Sequence, residues 1–314
     1  MINALFNGAL SILSEGQVTI FAFHKVPLER DPLRPTELHL SQWIRLLDVI
    51  QTSFRIVPLQ HAIENMRAGT SLRRVACLTF DDGYADWMDG VVPLLRDRNL
   101  HATFFIATQQ LIGRPIWNER ICQVVRGMSS SQLGHHLPED AVAGMSDNEA
   151  RVRVLAHIEH GLKYMSLEKR FEQLARLEHD VGITSDALRK FTFDDLDELH
   201  RCGFGIGAHT MNHPILSLCP DAQAYEEIHG SMEVLRQHLG VSVPFFAYPN
   251  GHAGDDYLAK HVEMVREIGF DAAVCTDWGV LSNRTSSFEV PRFTPWGKTT
   301  ASIKYQLVRN ILIK

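Results

Sequence analysis

Short runs of β-branched and aromatic residues alternate along this chain with stretches whose apolar residues recur every three or four positions. The first kind predicts strands and the second amphipathic helices, since side chains change face at every residue of a strand and return to one face every 3.6 residues of a helix. Val18 to Phe23 reads as a strand, and Ser41 as the N-cap of a helix with Trp43, Ile44, Leu47 and Ile50 on one face. Phe54 to Val57 is a short strand and Leu59 to Met66 a short helix. Further strands are predicted at Val75–Phe80, Ala102–Ile106, Phe204–Ala208, Pro244–Ala247 and Asp271–Cys275. Helices are predicted at Trp87–Arg98, after a capping pair formed by Thr192 and Asp195, at Ala222–Leu239, and around Val262–Ile268. Gly203 and Gly269 stop two of them, as C-cap glycines do. Strand and helix in alternation predict a parallel sheet built from βα units.

Residues 117–190 break this rhythm. Glu149–His160 and Leu167–Asp180 are charged amphipathic helices, and residues 147–180 hold seven acidic and six basic side chains. That balance describes a solvated helical insertion, not a charged tail. The unusual residues fall elsewhere, each just past a predicted strand: Asp81-Asp82-Gly83, His209 with His213, Tyr248-Pro249-Asn250-Gly251, and Asp277-Trp278. In βα barrels the chemistry collects at the C-terminal ends of the strands, so four separate segments would meet at one mouth.

Composition narrows the class. With 45% hydrophobic and 22% charged residues in 314, the chain is neither disordered, collagen-like nor a coiled coil. A net charge of −6 lacks the basic footprint of a nucleic-acid binder. Five cysteines without CxxC spacing fit a reducing compartment better than a disulfide framework. The apolar run from Met1 to Leu13 has no Lys or Arg before it and no clear cleavage site, and no run of 18 apolar residues occurs, so a cytoplasmic protein without a transmembrane segment is expected. Nothing in the pattern bears on oligomeric state.

The candidate chemistry is that of a metal hydrolase. Asp81 and Asp82 can divide the work of holding a metal and addressing water, with Gly83 allowing the sharp turn; alone, Asp-Asp-Gly also reads as a simple loop cap. His209 and His213, four residues apart, can present two imidazoles to one ion, although two surface histidines beside Pro214 would look the same. Thr210 stands where a zincin would carry Glu. Together, one Asp and two His make a three-ligand site with positions left for water and substrate.

These motifs resemble the polysaccharide deacetylases, the NodB-homology domain or carbohydrate esterase family 4. Thr79-Phe80-Asp81-Asp82-Gly83 and the strand Ala102-Thr103-Phe104-Phe105 match its first signature, and Gly205-Ile206-Gly207-Ala208 followed by His209 to Pro214 matches its second. The resemblance covers roughly residues 18–116 and 192–296. It implies one α/β domain over 1–314, a distorted (β/α)7 barrel with the insertion at about 117–190 and a C-terminal tail at about 297–314. It implies Asp82, His209 and His213 as ligands of one divalent metal, zinc by ligand type, with Co2+, Ni2+, Mn2+ or Fe2+ also suited to the donors. Asp81 becomes the general base.

The family's third motif, Arg-x-Pro-Tyr, is altered here: Ala247 holds the Arg position and Asn250 the Tyr position, as in a Tyr-Pro-x-Gly branch. The Asn250 backbone N–H can still serve an oxyanion, with Tyr248 beside the substrate, and Arg292 becomes the substitute partner of Asp81 unless it is a surface ion pair. Asp277-Trp278 resembles the Asp-Trp motif, whose Trp walls the acetyl pocket and whose Asp orients a catalytic His; plain core packing is the other reading of Trp278. The C-terminal Leu-x-His motif is missing. His24, at the end of the first strand, is the proposed general acid, because the first and last strands of a closed barrel are neighbours; it would face Asp81 across the metal and touch Asp277. It could instead only pack at a strand end. The expected activity is removal of an N-acetyl group from an amino sugar of a polysaccharide or its precursor. The alternatives are N-deacylation of a non-acetyl amide or imide, and a carbohydrate-binding relative without turnover.

Overall fold

Val75–Phe80 is buried at every position, and a strand apolar on both faces must be covered on both sides. It accordingly lies within the sheet and not at its edge. The computed structural model describes residues 2–137, 144–185 and 188–313. Its strands are β1 (Gln17–Phe23), β2 (Arg55–Ile56), β3 (Val75–Phe80), β4 (Thr103–Ile106), β5 (Gly205–Ala208), β6 (Phe245–Ala247), β7 (Ala272–Val274) and β8 (Leu281–Ser282). They form one sheet in the order β7-β6-β5-β4-β3-β1-β8, with β2 alongside the start of β3. All pairs are parallel except β1 with β8.

Residues 290–293 close the ring. Val290 lies parallel to Val274 of β7 and Phe293 parallel to Phe21 of β1. Cys275 N–H donates to Val290 C=O at 2.9 Å, and Phe293 N–H to Ile20 C=O at 2.8 Å. β1, β3 to β7 and this segment are therefore the staves of a distorted (β/α)7 barrel.

Alternation divides each stave between two cores. Val18, Ile20, Cys77, Phe105, Phe245, Ala247, Val274 and Val290 share the inner one. Phe21, Phe23, Leu78, Phe80, Phe104, Ile206, Phe246 and Phe293 share the outer one, against the helices. The parity carries past the strand ends. Asp81 continues the row of Cys77, His24 that of Ile20, His209 that of Gly207, and Arg292 that of Val290, so these residues continue the inner rows of the barrel. Tyr248 continues the outer row of Phe246.

Most predicted elements stand within a residue or three, with instructive exceptions. The helix expected after Ser41 spans Leu40–Ser53 with His39 as N-cap and no side-chain cap, so Ser41 is its second residue. The helix expected over Trp87–Arg98 splits into a 3-10 turn at Ala85–Met88 and a helix at Val91–Asp97. Between them, a Cβ on Gly90 would come within 3.0–3.1 Å of Leu40 and Leu28. Thr192 and Asp195 do form a reciprocal capping box. The insertion contains helices Trp117–Gly127, Ser130–Gly134, Asp147–Lys163 and Leu167–Val181, tied by Arg120 to Glu178 at 2.7 Å. The stretch set apart as a tail holds helix Thr300–Leu312, which packs on Leu40–Ser53 and on helix Ile2–Leu13. Among the described residues no helix is long and apolar enough to cross a membrane.

Candidate metal centre and active site

Among the described residues, four of the six non-glycine residues with positive φ lie at the mouth: Asp82 (86°), Thr210 (61°), His213 (52°) and Asn250 (60°). Such backbone persists only where surrounding structure enforces it, and it clusters at working sites. At Asp82 it breaks the strand alternation, so Asp81 and Asp82, adjacent in sequence, need not diverge to opposite faces. The Asp82 carbonyl is held by the Gln110 side-chain amide at 2.6 Å and by Ala107 N–H at 3.2 Å.

Asp82 Oδ1 lies 3.3 Å from His209 Nε2 and 3.2 Å from His213 Nε2. One ligand atom from each of the three residues fits within a 4.8 Å span. His209 Nδ1 is 2.7 Å from the Ala247 carbonyl. A carbonyl only accepts, so Nδ1 carries the proton and Nε2 turns a lone pair toward Asp82. Asp82 Oδ1 is buried without a hydrogen-bond donor. A buried carboxylate oxygen facing an imidazole lone pair is unfavourable unless a cation lies between them. The donor set thus fits a divalent metal, and the Ala247 carbonyl is the kind of outer partner that orients a ligating His. Burial alone would raise the Asp82 carboxyl, but His213 and His209 hold it well below the usual carboxylate range. Burial lowers His213, while in His209 the nearby Asp82 and Asp81 carboxylates outweigh burial and raise it.

The loop between the two histidines is braced from below. The Thr210 hydroxyl accepts from His213 N–H at 3.1 Å. Glu227, buried on helix Asp221–Leu239, accepts from Met211 N–H at 3.0 Å, from Asn212 N–H at 2.7 Å and from the Asn212 amide at 2.7 Å. Arg170 of the insertion is buried as well; it donates to the His213 carbonyl at 3.3 Å and lies over the Trp117 ring.

Asp81 meets Arg292 in a fork, with Nη1 to Oδ1 at 2.7 Å and Nη2 to Oδ2 at 2.6 Å, both side chains buried. Arg292 also donates to Thr79 Oγ1 and to the Cys275 carbonyl, and lies over the Phe105 ring. Burial would raise the Asp81 carboxyl, but the Arg292 charge prevails and lowers it, so Asp81 is ionised at neutral pH. Arg292 is therefore not a surface ion pair. His24 Nε2 stands 3.9 Å from Asp81 Oδ2, half exposed.

The sequence profile of the family described as polysaccharide deacetylase matches residues 68–273, well over half the chain. The chain belongs to the polysaccharide deacetylase family. It is a carbohydrate deacetylase, and so a hydrolase. No curated protein sequence matches it. Among solved structures, IcaB from Ammonifex degensii is 17% identical with a TM-score of 0.59, covering 92% of this chain and 97% of that one. A de-N-acetylase from Aggregatibacter actinomycetemcomitans is 14% identical with a TM-score of 0.59, covering 92% and 99%. The Streptococcus pyogenes deacetylase PplD, solved with acetate, is 15% identical with a TM-score of 0.57, covering 88% and 92%. At these identities the likeness is one of fold.

Four residues of the deacetylase depart from the pocket and relay roles drawn from the sequence, Trp278 by taking its core-packing reading. Tyr248 is fully buried, stacked on Tyr257 at 3.9 Å with its hydroxyl on the Phe288 carbonyl at 3.0 Å, because it falls on the outer row of β6. It is a core residue and does not line the mouth. Trp278 packs edge-on against Phe293 at 4.9 Å with Arg309 over its ring, on the helix side of the closing stave. Asp277 does not touch His24; it accepts from Ala253 N–H at 3.2 Å and pairs with His252 Nδ1 at 3.1 Å. His24 stands beside Asp81 on a neighbouring stave, not across from it. Asn250 follows β6, and its carbonyl accepts the Thr276 hydroxyl.

Sequence reasoning missed His252, Glu227, Arg170 and Trp296. His252 follows the Tyr-Pro-Asn-Gly turn and so sits past a strand end. Glu227 interrupts the buried stripe Ala224, Ile228, Ser231, Leu235, and Arg170 the stripe Leu167, Leu174. A charge on a buried stripe was the available signal for both. The exposed Trp296 and His24 share the lining of a groove of about 510 Å³ with Gln42, Arg45, Tyr84 and Lys298.

Proposed function

We propose that the protein is a metal-dependent N-deacetylase acting on an N-acetylated amino sugar of a polysaccharide or its precursor. The observation that carries this reading is the Asp82–His209–His213 triad beside the Arg292-held Asp81. A divalent metal on those donors, zinc by their type, supplies Lewis acidity to the acetyl carbonyl and lowers the pKa of water. Asp81 accepts the proton of the attacking water. Arg292 fixes its orientation and keeps it ionised, leaving each oxygen a further lone pair. In this reading His24, at 3.9 Å from Asp81 and open to the groove, protonates the leaving amine as the acetyl C–N bond breaks. The Asn250 N–H, on the strained turn after β6, serves the oxyanion in this reading.

The groove beside His24 has room for the sugar, and its exposed Trp296 offers a ring surface to a pyranose. A cytoplasmic location is part of the same proposal, supported by five cysteines that are all free thiols, four of them buried.

Acetate release from N-acetylated glucosamine oligosaccharides is the test, with protein stripped by chelator and then reloaded with single metals. The stripped protein and His213→Ala should both lose activity, and only the former should regain it. Turnover that survives stripping would overturn the metal dependence. Release only from non-acetyl amides, or sugar binding without any release, would replace the reading by one of its two alternatives.

A further inference from the structure

We propose that the exposed face of helices Ile2–Leu13 and Thr300–Leu312 docks on an anionic lipid surface. Helix Thr300–Leu312 has two apolar sides. Ile303, Leu307 and Ile311 are buried against the body of the protein. On the other side Ala301, Tyr305 and Leu312 are exposed, spaced by four and seven residues, so they form a stripe along one face. Five of the twelve large apolar side chains exposed among the described residues lie in these helices and their approach: Ile12 (76%), Trp296 (65%), Tyr305 (68%), Leu312 (58%) and Ile313 (36%). The other seven lie elsewhere in the chain.

The two helices are joined, since the Lys304 ammonium sits 4.7 Å over the Phe6 ring. Trp296 is anchored beside them by its backbone N–H, which donates to Gln306 Oε1 at 3.1 Å.

Charge selects the occupant. Residues 293–314 carry Lys298, Lys304, Arg309 and Lys314 and no acidic residue, and residues 1–14 carry no charged side chain, in a chain whose net charge is −6. Glu15, just past the first helix, is paired with Arg73. An apolar stripe with Tyr, Trp and cations beside it matches a bilayer surface, where aromatic rings sit at headgroup level and basic side chains reach anionic headgroups. Trp296, Lys298 and Ile303 also line the groove that leads to His24. Docking would therefore bring the groove to the lipid surface. The inference does not rest on the reaction, and its test does not read activity.

The full chain is sedimented with vesicles of phosphatidylcholine alone and with about 30% phosphatidylglycerol. Binding is expected to the anionic vesicles, weakened by added salt, and to fall by about tenfold in the double variant Tyr305→Asp, Leu312→Asp. Neither residue belongs to the site above, so acetate release from a soluble substrate serves as the folding control. Should the double variant fail to fold, the wild-type comparison decides alone: equal binding to both vesicle types, or to neither, overturns the proposal. So does a double variant that folds and binds as the wild type does. A dimer lost in the variant, with no vesicle binding by the wild type, would assign the face to a second copy of the chain.

Discussion

Asp81 and Asp82 differ in environment although they are neighbours. One is gripped by a guanidinium and the other faces two imidazoles, so one can move a proton while the other holds an ion. Asp81→Asn should lower deacetylation by about 10²–10⁴ with metal content unchanged, because an amide cannot accept the water proton. Wild-type turnover in that variant would make Asp81 purely structural. His24→Ala should lose catalysis with metal affinity intact, and the loss should be largest where the amine leaving group needs a proton. If His252→Ala shows that behaviour and His24→Ala does not, the acid is the His252–Asp277 pair. Glu37, on the groove wall, carries a buried Oε2 without a donor, and burial pushes its carboxyl up to about 7. An acid raised on folding keeps its proton longer in the native state than in the unfolded chain. Native protein then binds more protons between about 4.5 and 7, and the contribution of Glu37 to stability falls as pH rises through that window. Unfolding by urea at both ends of the window should find Glu37→Gln gaining on the wild type toward neutral pH; a constant difference would contradict this.

At the scale of elements, the metal loop is only as good as its braces. It contains Thr210 and His213 in left-handed backbone, which a free loop would relax. Glu227 satisfies two of its backbone N–H groups, and Arg170 reaches its last carbonyl from an insertion distant in sequence. Glu227→Ala leaves those part-buried donors without their partner, at up to about 1–3 kcal/mol each. It should lower both the melting temperature and, by about 10–100-fold, the metal affinity, as outer partners of metal ligands do. Isothermal titration of the stripped protein with zinc reads the second effect, and unchanged affinity would reduce Glu227 to a stability role.

For the whole molecule the decisive piece is the closing stave. Residues 290–293 bring Arg292 inside the barrel and Phe293 outside it, where Phe293 packs on Phe21 at 6.0 Å and Trp278 at 4.9 Å. A fully buried Phe replaced by Ala costs about 3–5 kcal/mol, more than most surface changes together. Phe293→Ala should thus lower global stability by that amount in urea unfolding, and slacken the Arg292–Asp81 pair through the backbone it shares. A loss under 1 kcal/mol would mean that the barrel does not depend on this closure.

The strand pattern made a βα-repeating fold legible, because period and strand-end position are local properties of the chain. Two specific motifs, through the family they resemble, pointed to the barrel and to Asp81, Asp82, His209 and His213, which the fold brings together. Strand parity, followed one residue further, would have turned Tyr248 outward. Tertiary structure alone decided the rest. Asp277 could reach a histidine on either side of its strand, and only the packed loops show that it meets His252. Arg292 could have been a surface cation, and only the closing segment, lacking a strong strand signal of its own, carries it to Asp81. Glu227 and Arg170 reach the metal loop across long stretches of sequence. Pairings between distant segments are set by how helices pack on the sheet, which no local spacing encodes.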